Sequence, residues 1–198
     1  MNATSLLTNT VYPDAEVLDF SGPFEVFSTA SRMCDDGQPF SVFLLAEVKT
    51  LIAARAGFQV QPHFSIYGHP PLDVLIISGG VHTHEMENAE VMAWIQRQAE
   101  SVILTATVCT GIFLLAKALP SLACKVSTHW EDIASLREMF TDLDVVEGVR
   151  WVDAGKVVSS GGISAGIDMS LYLVSKLHSM SLAEKTARQM EFDWTRKL

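Results

Sequence analysis

The chain has 198 residues, 48% of them apolar, and a formal charge of −9 with no run of Lys or Arg. That length and apolar content suit one domain with a full core, expected over residues 1–198, and the scattered acidity excludes the basic stripe that nucleic acid requires. Met1 to Val11 lack the cationic start and cleavage site of a signal peptide, and no apolar run approaches the ~20 residues of a membrane span, so a cytoplasmic protein is expected.

In chain order, SLLTNTVY reads first as a strand, and Pro13 and Asp14 then lead into AEVLDFSGPFEVFSTASRM. There Val17, Leu18, Phe20, Phe24, Val26 and Phe27 recur as helical turns around a break expected at Gly22-Pro23, with Asp19 just before it. FSVFLLAE, LDVLIISGG and SVILTATV are continuous apolar runs of strand length, the pattern of strands covered on both faces of a parallel sheet. Between the last two, HEMENAEVMAWIQRQAE predicts one crossover helix with Val91, Met92, Trp94 and Ile95 near one side. TGIFLLAKAL, HWEDIASLREMF, AGIDMSLYLVSKLH and LAEKTARQMEFDW predict four more helices. Such alternation implies an α/β sandwich around a mostly parallel sheet, with chemistry at the carboxyl ends of strands. ISGG and TVCTG both fall at such ends.

The three cysteines, Cys34, Cys109 and Cys124, are odd in number and show no CxxC spacing, so reduced thiols are expected rather than a disulfide framework. His82 and His84 follow a Gly-Gly turn without an obvious third ligand, and no metal site is expected. Cys109 differs from the other two because it sits between a strand and a helix. There its side chain can stand out from the sheet as a nucleophile, and the helix N-terminus favours the thiolate. It can equally be a buried cysteine acting as a small hydrophobe, and local pattern leaves both readings open. Cys34, in the polar MCDDGQ turn, and Cys124, in SLACKVS, have no such junction and are not expected to be catalytic. Gly79 and Gly80 would let backbone N–H groups approach a bound atom closely, forming an anion hole beside the elbow.

The segments LDFSGPFEVF, LIISGG, TVCTGIFLLAKA, STHW and SSGGISAGIDMSLYLV together resemble the DJ-1/PfpI (ThiJ/PfpI) superfamily over nearly the whole chain. The acidic residue in L-D-x-x-G-P, the C-T-G elbow, T-H-W and G-G-I-x-A-G-I-D more narrowly resemble isocyanide hydratases and the sensor domains of AraC-type regulators. The resemblance implies a flavodoxin-like three-layer sandwich, class I glutamine amidotransferase-like, usually a homodimer, acting on a small molecule without metal or organic cofactor. It also implies Cys109 as nucleophile, with Asp19 reaching its sulfur as a hydrogen-bond donor and proton shuttle. Thr110 takes the place of the threonine that follows the cysteine in isocyanide hydratases, its N–H facing the reacting group together with that of Gly80. PfpI-type peptidases have histidine there instead, so a Cys-His peptidase loses its base unless His129 reaches the elbow; a structural role for His129 is expected. Asp168, inside an apolar helix, needs a buried partner, and Trp130 and Trp151 remain unassigned.

The function expected from this resemblance is hydration of an isocyanide through a thioimidate. The alternatives are a ligand or redox sensor, or hydrolase or glyoxalase-type chemistry on the same thiol. Only Thr195 to Leu198 follow Trp194, so a complete regulator with a helix-turn-helix module is not expected.

Overall fold

A computed structural model describes residues 4–196. The expected domain also spans 1–3 and 197–198, which lie outside the described residues. The first half runs β1 (Ser5–Thr10), α1 (Val17–Met33), β2 (Phe40–Ala46), β3 (Ile52–Ala53), β4 (Gln59–Val60), β5 (Phe64–Ser65) and β6 (Val74–Ile77). The chain continues through α2 (Thr83–Met86), α3 (Ala89–Ser101), β7 (Leu104–Val108), α4 (Gly111–Ala118), β8 (Lys125–Val126), α5 (Ile133–Met139) and β9 (Asp144–Val145). It ends with β10 (Trp151–Asp153), β11 (Val157–Ser160), α6 (Ala165–Leu177) and α7 (Met180–Gln189).

The main sheet has seven strands in the order β10-β11-β7-β6-β1-β2-β5, parallel except where β10 pairs with β11. Its central strands explain the continuous apolar runs. Leu75 and Ile77 of β6 pack with Trp94, Ile95, Ile112 and Phe113 in one cluster, whereas Val74 and Ile76 pack with Phe27, Met169 and Leu173 in the other. Successive side chains face opposite layers, so both sets must be apolar. This is the flavodoxin-like three-layer α/β sandwich.

Three local expectations need correction. No break occurs at Gly22-Pro23, because α1 is continuous with Pro23 inside it. Proline deprives the Asp19 carbonyl of an N–H partner at a cost of about 3 kcal/mol. The helix persists because Phe20, Gly22, Pro23, Val26 and Phe27 are all buried. Conversely, HEMENAEVMAWIQRQAE forms two helices rather than one, since the Asn88 side chain accepts the Val91 N–H as an N-cap and starts α3 anew. HWEDIASLREMF likewise divides into a 3-10 turn at Trp130–Asp132 and then α5.

The C-terminal helix stops at Gln189, short of EFDW, and the tail folds back on α6. Trp194 Nε1 donates to the Asp168 carbonyl at 3.2 Å, and the Thr195 N–H donates to Asp168 Oδ1 at 2.8 Å. Arg150, itself partly exposed, supplies the partner that buried Asp168 requires, through Nε at 2.7 Å and a second guanidinium nitrogen. Trp151 fills the core and stacks on Tyr172, while Trp130 is 76% exposed.

Candidate active site

Parallel strands deliver β6, β7 and β11 to one edge of the sheet, and Cys109 is the first residue beyond β7. Its φ of 56° is left-handed, a conformation that a non-glycine residue adopts only under constraint. The constraint is visible. The Cys109 N–H donates to the Gly161 carbonyl at 3.3 Å, and Thr128 Oγ1 donates to the Cys109 carbonyl at 2.9 Å. Helix α4 then presses its first residue onto β6, where a Cβ on Gly111 would collide with the Ile77 carbonyl oxygen. The strained turn, the strand before it and the helix after it form a nucleophile elbow.

Asp19, in the first turn of α1, is fully buried at this elbow. Its Oδ2 accepts the Gly79 N–H and its Oδ1 accepts the Ile163 N–H, both at 3.1 Å, and it flanks Gly79 together with Cys109, since a Cβ on that glycine would lie 2.8 Å from Asp19 Oδ2 and 2.8 Å from Cys109 Cβ. Burial pushes the Asp19 pKa up to about 7 against the pull of those N–H groups. Burial also pushes the Cys109 thiol well above its ordinary range; the Asp19 charge adds to this, and the Thr110 N–H opposes it. Desolvation is the largest of these influences and outweighs the Thr110 N–H, so the resting thiol stays protonated although it stands at a helix N-terminus. Asp19 therefore ionises before the thiol, because the thiol lowers the Asp19 pKa while the Asp19 charge raises that of the thiol, and the ionised pair keeps its one proton on sulfur with a carboxylate beside it.

The glycines serve close approach, with one change of role. A Cβ on Gly79 would lie 2.6 Å from the Thr110 nitrogen and 2.8 Å from Cys109 Cβ, so the residue must be glycine for β6 and the elbow to meet. Gly80, however, does not offer its N–H to a ligand, because it donates to Thr110 Oγ1 at 2.9 Å while that hydroxyl donates back to the Gly80 carbonyl at 3.0 Å. The Gly80 N–H is thus taken up within the protein, and the backbone donor whose influence reaches the Cys109 sulfur is that of Thr110. Gly80 and the Thr110 side chain lock the two turns together.

His129 lies close to the thiol without facing it as a base. A Cβ on Gly162 would sit 3.3 Å from Cys109 Sγ and would strike His129 Cδ2, so thiol and imidazole flank the same glycine. The His129 Nδ1 accepts the Glu131 N–H at 3.4 Å and stands 3.7 Å from Asp132 Oδ2, capping the 3-10 turn. His82, the other histidine near the glycine pair, packs its ring on Phe113 with centroids 4.5 Å apart. Among the described residues no group of three His, Cys, Asp or Glu is arranged to hold a metal ion.

Several participants were missed in the sequence. Ile163, also left-handed at φ 55°, places its N–H on Asp19; Tyr12 is buried beside Asp19, Cys109 and Thr110; Thr128 anchors the elbow carbonyl. The SSGGISAG and STHW segments carried the first and third signals, but Tyr12 had none. An open cleft of about 810 Å³ is lined by Thr128, His129, Trp130, Arg150, Gly162 and Ile163 among others, and Gly162 is the residue that stands between it and the thiol. The polar segment after Gly80 is the short helix α2, which contacts α3 and α4.

Fold, elbow and carboxyl–thiol pair together define a cysteine-elbow protein of the flavodoxin-like class. The DJ-1/PfpI family model matches residues 9–176, and the chain belongs to the DJ-1/PfpI family. Isonitrile hydratase of Pseudomonas putida is 26% identical over 184 residues, 92% of this chain and 76% of that protein. The HTH-type transcriptional regulator GbdR of Pseudomonas aeruginosa is 32% identical over 132 residues, 66% of this chain but only 35% of the regulator. Among solved structures, a ThiJ/PfpI family protein from Pseudomonas syringae superposes with a TM-score of 0.85 at 22% identity, covering 99% of this chain and 78% of that one. No helix among the described residues is long and apolar enough to cross a membrane.

Proposed function

We propose that the protein is an isocyanide hydratase-like enzyme with Cys109 as nucleophile, Asp19 as proton carrier and the Thr110 N–H as stabiliser of developing charge. The Asp19 carboxyl buried beside Cys109 carries this reading, because addition of a thiol to an isocyanide carbon requires one nucleophilic sulfur and one proton delivered to that same carbon. Sulfur attacks the terminal carbon, that carbon takes the shared proton, and a thioimidate R–N=CH–S–Cys109 forms. Asp19, now a carboxylate, takes a proton from water as it adds to the same carbon. Asp19 passes that proton to the nitrogen; collapse then expels the Cys109 sulfur, sends the remaining hydroxyl proton to the Cys109–Asp19 pair and releases R–NH–CHO. The net reaction adds one water and needs no redox partner. The similarity to isonitrile hydratase over 92% of the chain supports the substrate class.

A second reading is a ligand sensor, favoured by the similarity to the GbdR regulator. The cytoplasm and a homodimer fit both readings and belong to the same proposal. The test is turnover of an alkyl isocyanide, methylglyoxal and a peptide amide by the wild type and Cys109→Ala. Formamide from the isocyanide with wild type alone supports the hydratase. No turnover of any substrate, with Cys109 still alkylated selectively, moves the sensor ahead.

A further inference from the structure

A second thiol–imidazole pair lies at the far end of α1. Cys34 is the C-cap of that helix, 15 residues beyond Asp19, which at 1.5 Å per residue separates it from the Cys109 site by about 22 Å. Its Sγ lies 3.7 Å from Nε2 of His178, the first of the two residues between α6 and α7. The imidazole is itself oriented. Its Nδ1 stands 3.1 Å from Ser179 Oγ, and that oxygen already accepts the Leu182 N–H at 3.2 Å as the N-cap of α7. Nδ1 donating its hydrogen to Ser179 leaves Nε2 unprotonated and aimed at the sulfur, the arrangement in which an imidazole takes a proton from a thiol.

The surroundings suit a small polar reactant. An open groove of about 520 Å³ is lined by Thr4, Cys34, Asp36, Gln38, Pro39 and His178 among others. Lys185, held by Asp35 at 2.5 Å, is near enough for the Cys34 sulfur to help hold it in its charged form. Cys34 and Cys124 are both half-buried and each packs in part against the hydrophobic core, and Cys109 is only 7% exposed. Of the three thiols, only that of Cys34 has an imidazole nitrogen in hydrogen-bonding contact with its sulfur among the described residues.

We infer that Cys34 and His178 form a second reactive site, separate from the Cys109 centre, that takes up a low-molecular-weight disulfide and becomes a mixed disulfide. His178 Nε2 accepts the thiol proton, and the Cys34 thiolate attacks one sulfur of R–S–S–R. The Cys34–S–S–R bond forms as the original S–S bond breaks. The departing thiolate then takes the proton from His178 as R–SH. Cys34 is oxidised, one half of the reagent is reduced, and the reaction reverses with excess R–SH.

The experiment treats the full chain with glutathione disulfide near pH 7 and follows adducts by intact mass and peptide mapping, in the wild type, Cys34→Ser and His178→Asn. The expected result is a single adduct on Cys34, formed before any on Cys109 or Cys124 and absent from Cys34→Ser. In His178→Asn the rate should fall by about 10-fold or more near pH 7 and recover near pH 10, where solvent base ionises the thiol directly. That recovery separates loss of a base from loss of local structure. First modification at Cys109 or Cys124, or equal Cys34 rates with and without His178 near pH 7, overturns the inference. Isocyanide turnover in Cys34→Ser reports on the Cys109 site independently.

Discussion

Asp19 and Asp168 are both fully buried carboxylates in the first turn of a helix, α1 and α6 respectively, yet their surroundings differ in one decisive respect. Asp168 receives a guanidinium from Arg150 and the Thr195 N–H, so its charge is matched and it ties the C-terminal tail to the fold. Asp19 receives only two backbone N–H groups, with the thiol beside it, and burial raises its pKa to about 7. A buried acid with a cation holds structure together; a buried acid without one holds a proton ready to move. The helix N-terminus is common to both and does not distinguish them.

The most severe way to disturb the unmatched acid is through the glycine that holds it. Gly79→Ala places a methyl group 2.6 Å from the Thr110 nitrogen and 2.8 Å from Asp19 Oδ2, forcing β6 away from the elbow. The expected loss exceeds about 4 kcal/mol, seen as insoluble protein or a collapsed thermal midpoint. Near-native stability in Gly79→Ala would show that the two turns are not pressed together as described. Breaking the matched acid comes next. Asp168→Ala leaves Arg150 without its partner and the Thr195 N–H without an acceptor, costing about 3 kcal/mol in urea unfolding, the lower end for a buried pair because Arg150 is partly exposed. The rate of Cys109 alkylation should stay within about two-fold of wild type, since Asp168 does not touch the thiol. A large change in that rate would erase the distinction between the two carboxylates.

Asp19→Asn sharpens the comparison through pH. The folded pKa of about 7 lies above the unfolded value of 3.8, so the stability that Asp19 contributes is complete below about pH 4 and is lost as pH rises through 7. Asparagine keeps one acceptor oxygen for two N–H donors, so the variant starts about 1–2 kcal/mol less stable near pH 4. Its deficit should shrink, or reverse, by pH 8, because nothing at position 19 remains to ionise. Urea unfolding across that window measures this, and a constant deficit would mean that Asp19 is ionised throughout. Turnover should fall far more than stability at every pH.

The contrast also shows what was legible in the chain itself. The continuous apolar runs announced the parallel sheet because strands buried on both faces have no polar face to show, and the Cys109 elbow was legible because a strand must end and a helix must begin within two residues. The partner of Asp168 could be anticipated as a need but not as Arg150, since the pair spans a strand reversal at β10–β11 that local pattern does not encode. Pro23 misled because the cost of a proline is local, whereas the burial that overrides it comes from α6 and the sheet. The role of Gly80 was inverted for the same reason: its donor was visible, but the Thr110 hydroxyl that occupies it arrives from 30 residues away.

Glu85 supplies the subtlest test, because it lies between the two kinds of acid. It sits on α2 over a small cavity lined by Tyr12, Glu47 and Trp94 among others, and its pKa rises to about 7, first through burial and then through the Glu47 charge. Asn88 donates to Glu47 at 3.0 Å rather than to Glu85, so the Glu85 charge is not matched there. The sign follows that of Asp19, with stability present below the unfolded carboxyl range and lost as pH rises through about 7. Being less enclosed than Asp19, it should contribute the smaller share of that loss, so Glu85→Gln flattens the stability profile less than Asp19→Asn does. Combining both substitutions should leave little slope between about pH 5 and 8. If Asp19→Asn alone removes the whole slope, Glu85 is hydrated in solution, and the unmatched acids of this fold reduce to the one beside the thiol.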